Sequence, residues 1–224
     1  FLVMVRSMSE GHDLYRDILN NLPPLTFYLG RALLAISPGH FIETTRWAMI
    51  LLSSASVIPV YLTARRLFGR RAAVCAALMT ALDLIGIFYA RNLHVSVLEG
   101  AAAAWTLWFF LNGLTAQRRR FIMVLLGGAA AGTACAVKPS SVLLAPGFLV
   151  LSGILGPDLR FDRSLRRAAR DAPALALGFA AALAPWAALL LAQGTLGDFV
   201  RSVASLNFHL RTQGAQSDIA GSLA

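Results

Sequence analysis

Charge is scarce in this chain. Only 14% of its 224 residues are Asp, Glu, Lys or Arg, against roughly a quarter in an ordinary soluble domain. A globular fold of this size needs a polar coat, and this composition supplies too little of one. Lysine is scarcer still: Lys138 stands alone among 20 basic residues, and the other nineteen are arginine. Cysteine is limited to Cys75 and Cys135, both inside apolar runs. Their spacing fits no metal motif and no disulfide framework, so they read as buried packing. Sustained two-residue alternation is also missing, which excludes a membrane β-barrel.

Long uncharged blocks are what the chain has instead. Residues 47–64, 100–117, 121–137, 139–157 and 172–197 carry no charge, and 72–90 is interrupted only by Asp83. A helix of about 20 apolar residues spans a bilayer core, and in lipid only helices or closed barrels satisfy their backbones. The expected fold class is therefore all-α, a polytopic membrane helix bundle. Six crossings are predicted, near 42–64, 72–89, 93–113, 121–137, 139–156 and 172–193.

The net charge of +9 does not point to nucleic acid, because the arginines are clustered. "RRLFGRR" (65–71), "RRR" (118–120) and "LRFDRSLRRAAR" (159–170) hold twelve of the twenty basic residues and fall in alternate loops. The positive-inside rule assigns such loops to the cytoplasm. Residues 1–40 then form an external region, 41–193 a transmembrane bundle, and 194–224 the start of a further external segment. The opening "FLVMVRSMSEG" has neither an initiating Met nor a basic leader. It reads as the continuation of something longer, and the abrupt ending "SDIAGSLA" reads likewise.

Small and kinking residues suit close helix packing. Gly128 and Gly132 have GxxxG spacing, which lets backbones approach in lipid. Ser53, Ser54 and Ser56 read as helix-packing hydroxyls, and Pro59 and Pro185 as bends.

Polar groups at crossing ends need a reason. Arg91, His94 and Glu99 lie in "YARNLHVSVLEG" (89–100). Arg91 and His94 share a face if the segment is helical. Arg91 keeps its charge, so it either holds a phosphate or pairs with Glu99 or Asp83. Lys138, at the external end of a crossing, suits a phosphate head group or interfacial snorkelling. Glu43 with Arg46, and Asp198 with Arg201, have the three-residue spacing of surface pairs. His12, His40 and His209 read as loop histidines. Glu10, Asp13 and Asp17 place three carboxylates in eight residues. They either bind a metal or activate an acceptor, or form a solvated turn. "LYRDILNN" has an apolar and a polar side. It is expected to lie flat on the membrane with Leu14 and Tyr15 as anchors, ended by Pro23 and Pro24. "LTFYLGRALLAI" follows as a helix too short to span. Together these segments would roof a chamber lined by Arg91, Lys138 and carboxylates.

With these residues in place, the sequence resembles the polytopic (GT-C type) glycosyltransferases that use polyprenyl-phosphate sugars. The likeness is to the bacterial branch related to protein mannosyltransferases and the lipid A aminoarabinose transferase. Four stretches carry it: "SEGHDLYRDILNNLPPLTFYLG" (9–30), "RWAMILLSSASVIPVYLTARRLFGRRAAVCAALMTAL" (46–82), "IFYARNLHVSVLEG" (87–100) and "GGAAAGTACAVKPSSVLLAP" (127–146). The resemblance implies a larger fold and inverting transfer of a sugar from undecaprenyl or a similar phosphate. The acceptor would be a protein, lipid or glycan on the external face of the cell inner membrane. It places Arg91 and Lys138 near the donor phosphate, and Tyr15 and Asp17 in the first-loop motif. Pro23 and Pro24 shape that loop, and His94 belongs to the substrate turn. It also implies a catalytic carboxylate just upstream of Phe1, with Glu10, Asp17 and Glu99 as weaker candidates within the chain. Where relatives carry an aspartate five residues after the turn arginine, this chain has Ser96. No resident cofactor is implied beyond the lipid-linked donor and, as an option, a divalent metal. Two other classes compete: a lipid or amphiphile transporter, which would show repeats and a midplane site, and a non-catalytic membrane scaffold.

Overall fold

A computed structural model describes residues 1–18, 20, 22–115, 118–156, 159–161 and 164–203. Among them it shows only helices, turns and two isolated bridges, Leu14 to Ile18 and Leu155 to Phe161. The helices are α1 (Leu2–Ser9), α2 (Leu25–Ile36), α3 (Phe41–Phe68), α4 (Arg70–Ala81) and α5 (Leu84–Ala90). Then come α6 (Val95–Thr115), α7 (Arg120–Val137), α8 (Leu144–Ile154) and α9 (Leu165–Ala192). The all-α, multi-spanning bundle read from the apolar blocks is the fold observed.

Local chemistry explains the boundaries. Pro24 precedes α2, where a proline costs nothing because the first helical N–H groups lack partners anyway. Gly69 sits at φ 87° between α3 and α4, a conformation that glycine adopts without a Cβ penalty. Arg65 and Arg66 occupy the last turn of α3, where they complement the helix dipole. Pro59 and Pro185 lie inside α3 and α9, which continue past them.

The crossings differ from the sequence reading in two places. Four described helices are long and apolar enough to span: residues 38–68, α6, α7 and α9. The stretch predicted as a single crossing at 72–89 is instead a pair, α4 and α5, bent by 50°. Asp83 breaks it by accepting hydrogen bonds from the N–H groups of Ile85 (3.2 Å) and Gly86 (2.9 Å), which starts a new helix. Taken as one span, the pair raises the number to five. The block at 139–156 is a 3₁₀ turn, Pro139–Leu143, followed by the 11-residue α8. Pro139 prevents α7 from running on, and the helical part is left short. Even so, Ser141 bonds at the Lys138 end of α7 and Ser152 at its Arg120 end. The segment therefore returns alongside α7.

Long-range bonds define two ends of the bundle. At one end Arg66 of α3 donates to Asn112 (3.0 Å) and Thr115 (2.5 Å) of α6. There too Arg120, Ser152 and Asp171 join α7, α8 and α9. This end gathers the arginine clusters. At the other end, α1 and α2 pack on Leu93, Val97 and Val137. Tyr28 donates to Gln193 beyond α9 (2.5 Å), and Arg16 donates to Gly194 O (3.2 Å). The glycine pattern has a direct meaning. A Cβ on Gly128 or Gly132 would strike the Leu175 or Phe179 carbonyl of α9, and one on Gly178 would strike the Leu125 carbonyl of α7. The two backbones thus touch along a shared stripe, as the GxxxG spacing suggested.

Candidate functional site

The end opposite the arginine clusters holds most of the residues that the sequence singled out, but in several separate groups. The first is the opening loop. Residues 14–18 form a turn rather than a flat amphipathic helix, because Tyr15 takes a left-handed conformation (φ 75°). Leu14 and Tyr15 are each 2% exposed, packed with Met8, Phe27 and Leu190. They plug the protein instead of anchoring in lipid. The Tyr15 hydroxyl donates to Leu22 O (2.7 Å), and its ring meets Phe199 edge-on at 5.0 Å. Burial raises its pKa, so the phenol stays a neutral donor. Pro23 and Pro24 are buried and line an apolar cavity of about 260 Å³ with Trp186 and Phe199.

The three early carboxylates do not converge. Glu10 pairs with Arg6 (3.4 Å), and Asp13 with Arg16 (3.4 Å). Asp17 accepts from the Asp13 N–H (2.8 Å). Among the described residues no group of three or more His, Cys, Asp or Glu side chains is placed to hold a metal. Local pairing also corrects the expected Glu43–Arg46 contact, since Glu43 bonds His40 at 2.8 Å. His209 lies outside the described residues.

The second group is the turn between α5 and α6. Residues 91–94 are not helical, so Arg91 and His94 do not share a helix face. His94 stacks on Tyr89 (centroids 4.1 Å apart, 13° between planes) and meets Phe1 edge-on at 6.2 Å. Its Nδ1 accepts from the Ser96 N–H (3.2 Å), which opens α6. Burial lowers the His94 pKa, keeping the ring neutral and able to accept that bond. Arg91 is exposed and pairs with neither expected acid. Asp83 caps α5, and Glu99 is engaged elsewhere. Arg91 borders a cleft of about 470 Å³ walled by α3, the end of α4, and α5. No described residue of 1–40 lines that cleft, so the described part of the opening segment is not its roof.

The third group joins α6 to the end of α7. Lys138 Nζ lies 3.1 Å from Glu99 Oε2, and Ser141 Oγ donates to Glu99 Oε1 (2.8 Å). The Glu99 side chain is 21% exposed, so it is the most enclosed of the three carboxylates considered for catalysis. Lys138 is about half exposed and keeps N–H donors free for a further anion. It is not among the residues that border the Arg91 cleft.

One charged cluster escaped the sequence reading. Arg120 forks onto Asp171 through Nε (2.8 Å) and Nη2 (2.6 Å), and Ser152 Oγ donates to Asp171 Oδ2 (2.5 Å). All three residues are buried. Arg120 reads as one of three loop arginines, and Asp171 follows five basic residues. The only available signal was an acid set at the very start of an apolar run.

Comparisons with known proteins bear on this arrangement. Neither the curated proteins nor the solved structures yield a match. A comparison with family models matches residues 21–188 to the dolichyl-phosphate-mannose-protein mannosyltransferase family. That match takes in α2 through most of α9, including the turn of Arg91 and the Glu99–Lys138 pair. The chain belongs to the dolichyl-phosphate-mannose-protein mannosyltransferase family, a GT-C type family of membrane glycosyltransferases.

Proposed function

We infer that this chain forms part of a membrane glycosyltransferase that moves a sugar from a polyprenyl-phosphate donor to an acceptor on the non-cytoplasmic face. The observation that carries this reading is Arg91, an exposed guanidinium without an ion pair among the described residues. It sits at the rim of a cleft at the end of the bundle away from the arginine clusters. The positive-inside rule makes that end external. A cation left unpaired beside a membrane cleft suits a lipid phosphate.

In the proposed reaction the acceptor hydroxyl attacks the anomeric carbon. The bond from that carbon to the phosphate oxygen breaks, the polyprenyl phosphate leaves, and the acceptor's proton passes to a carboxylate. Negative charge grows on the leaving phosphate, and a preplaced guanidinium stabilises it most where water is excluded. Lys138 adds positive potential at the same end while Glu99 holds it in place. The acidic group that takes the proton is expected upstream of Phe1, and of the three weaker candidates within the chain Glu99 is the most enclosed.

Turnover of a polyprenyl-phosphate sugar by the full-length protein tests this reading. Removing a charge-assisted contact costs about 1.5–3 kcal/mol, so Arg91→Ala is expected to slow transfer by roughly 10- to 100-fold. Lys138→Ala is expected to have a smaller effect. Unchanged turnover in both variants would remove their proposed roles. The bent α4–α5 pair is the one feature that also suits a transporter, since broken helices are common there. Under that reading lipid movement would continue without any glycosyl product.

A further inference from the structure

The α4–α5 break leaves a hollow with polar groups set among apolar ones such as Ile85, Val97 and Ala101. Asp83 is exposed, inside a stretch apolar enough to cross with its partner helix. A bare carboxylate there is costly in lipid, and residues of this kind generally face a cavity. A cavity of about 270 Å³ does meet it, lined by Ser53, Ser56, Thr80, Asp83, Tyr89 and Ser96. This hollow shares Ser53, Thr80 and Gly86 with the cleft bordered by Arg91. The two therefore adjoin.

Its polar groups are only partly used. Ser56 donates to Ser53 O (2.6 Å) and Thr80 to Ala76 O (2.9 Å). The hydroxyls of Ser53, Ser96 and Tyr89 bond to no other group among the described residues. Asp83 spends one lone pair of each oxygen on Ile85 and Gly86 and retains the others. Polar atoms that face a cavity without protein partners suit a ligand rich in hydroxyls, or water. At about 270 Å³ the cavity approaches the size of small-molecule sites. Next to it stands the unpaired Arg91. A neutral polyhydroxyl ring followed by an anion is the pattern of a glycosyl phosphate.

We propose that the hollow between α3, the α4–α5 break and the start of α6 binds the sugar ring of the donor, with Asp83 and the hydroxyls of Ser53, Ser96 and Tyr89 as its hydrogen-bonding partners. The assignment rests on the glycosyltransferase reading, with Arg91 taking the adjoining phosphate. Asp83→Asn keeps a side chain that still caps α5, and Tyr89→Phe keeps the ring that stacks on His94.

The test is binding to the full-length protein in lipid nanodiscs, with two probes: dolichyl-phosphate-mannose and sugar-free dolichyl phosphate. Asp83→Asn, Ser96→Ala and Tyr89→Phe are each expected to weaken the mannosylated lipid about fivefold or more, the effect of one lost hydrogen bond. Affinity for the sugar-free lipid is expected to stay within about twofold of wild type, because these residues do not reach the phosphate. Arg91→Ala is expected to weaken both probes alike. If the hollow variants weaken both probes equally, or neither, the sugar-site assignment fails and the transferase reading stands. If the wild-type protein binds neither probe, the transferase reading fails and the assignment falls with it.

Discussion

Asp171 holds a buried charge in balance. Its carboxylate is 3% exposed and neutralises a guanidinium that is 9% exposed. Asp171→Ala strands that charge, which costs about 3–5 kcal/mol for a buried pair. A fall in melting temperature in detergent is the expected result. Replacing both partners with apolar residues, as in Arg120→Met with Asp171→Leu, is expected to recover much of the loss, because no unpaired charge remains. His94 supplies a pH prediction. Its folded pKa is lowered from an ordinary value near 6.5 by burial, so the unfolded chain takes up the proton first. Stability from this site is complete above that value and declines as pH falls through it toward the lower folded value. Melting of wild type between pH 7.5 and 5 is expected to show the decline. His94→Phe, which keeps an aromatic ring against Tyr89, is expected to flatten it. The paired residues here were not legible by spacing. Lys138 and Glu99 are 39 positions apart, and only the close approach of α6 and α7 brings them together. His40 captured Glu43 because both are fixed at the start of α3, a local choice that three-residue spacing alone did not settle.

At the scale of elements, legibility follows the strength of the local signal. α2 has the bounds read from the sequence, since Pro24 opens it and Ser37 and Pro38 follow its last turn. The arginine loops, the long apolar helices and the glycine stripe were equally plain. The 13–18 turn was not, because the same apolar residues fit a lipid-facing helix or a buried plug. The choice depends on Phe27, Leu190 and Phe199, which come from elsewhere in the chain. The break at Asp83 was visible only as an interruption of an apolar run. Its capping bonds turn one crossing into two helices at an angle. The α7–α9 contact yields a sharp prediction. Gly128→Val drives a side chain into a backbone carbonyl that cannot move away cheaply, and overpacking of this kind costs about 1–3 kcal/mol. Thermal melting is expected to show it, whereas Gly147→Ala, with open space around its Cβ position, is expected to be nearly neutral.

The whole molecule is a bundle with two chemically distinct ends, and the proposed function depends on which end faces outward. Arginine loops gather at one end, by Arg66 and Arg120. Residues 1–40, the Arg91 turn and Lys138 gather at the other. Labelling of single cysteines in intact cells with a membrane-impermeant maleimide tests the sidedness most directly, in a background where Cys75 and Cys135 are serine. Asn92→Cys and Ser140→Cys, next to Arg91 and Lys138, are predicted to react from outside, and Arg118→Cys only after the membrane is permeabilised. Reaction of positions 92 and 140 from opposite sides, or of position 118 from outside, would contradict an external donor site.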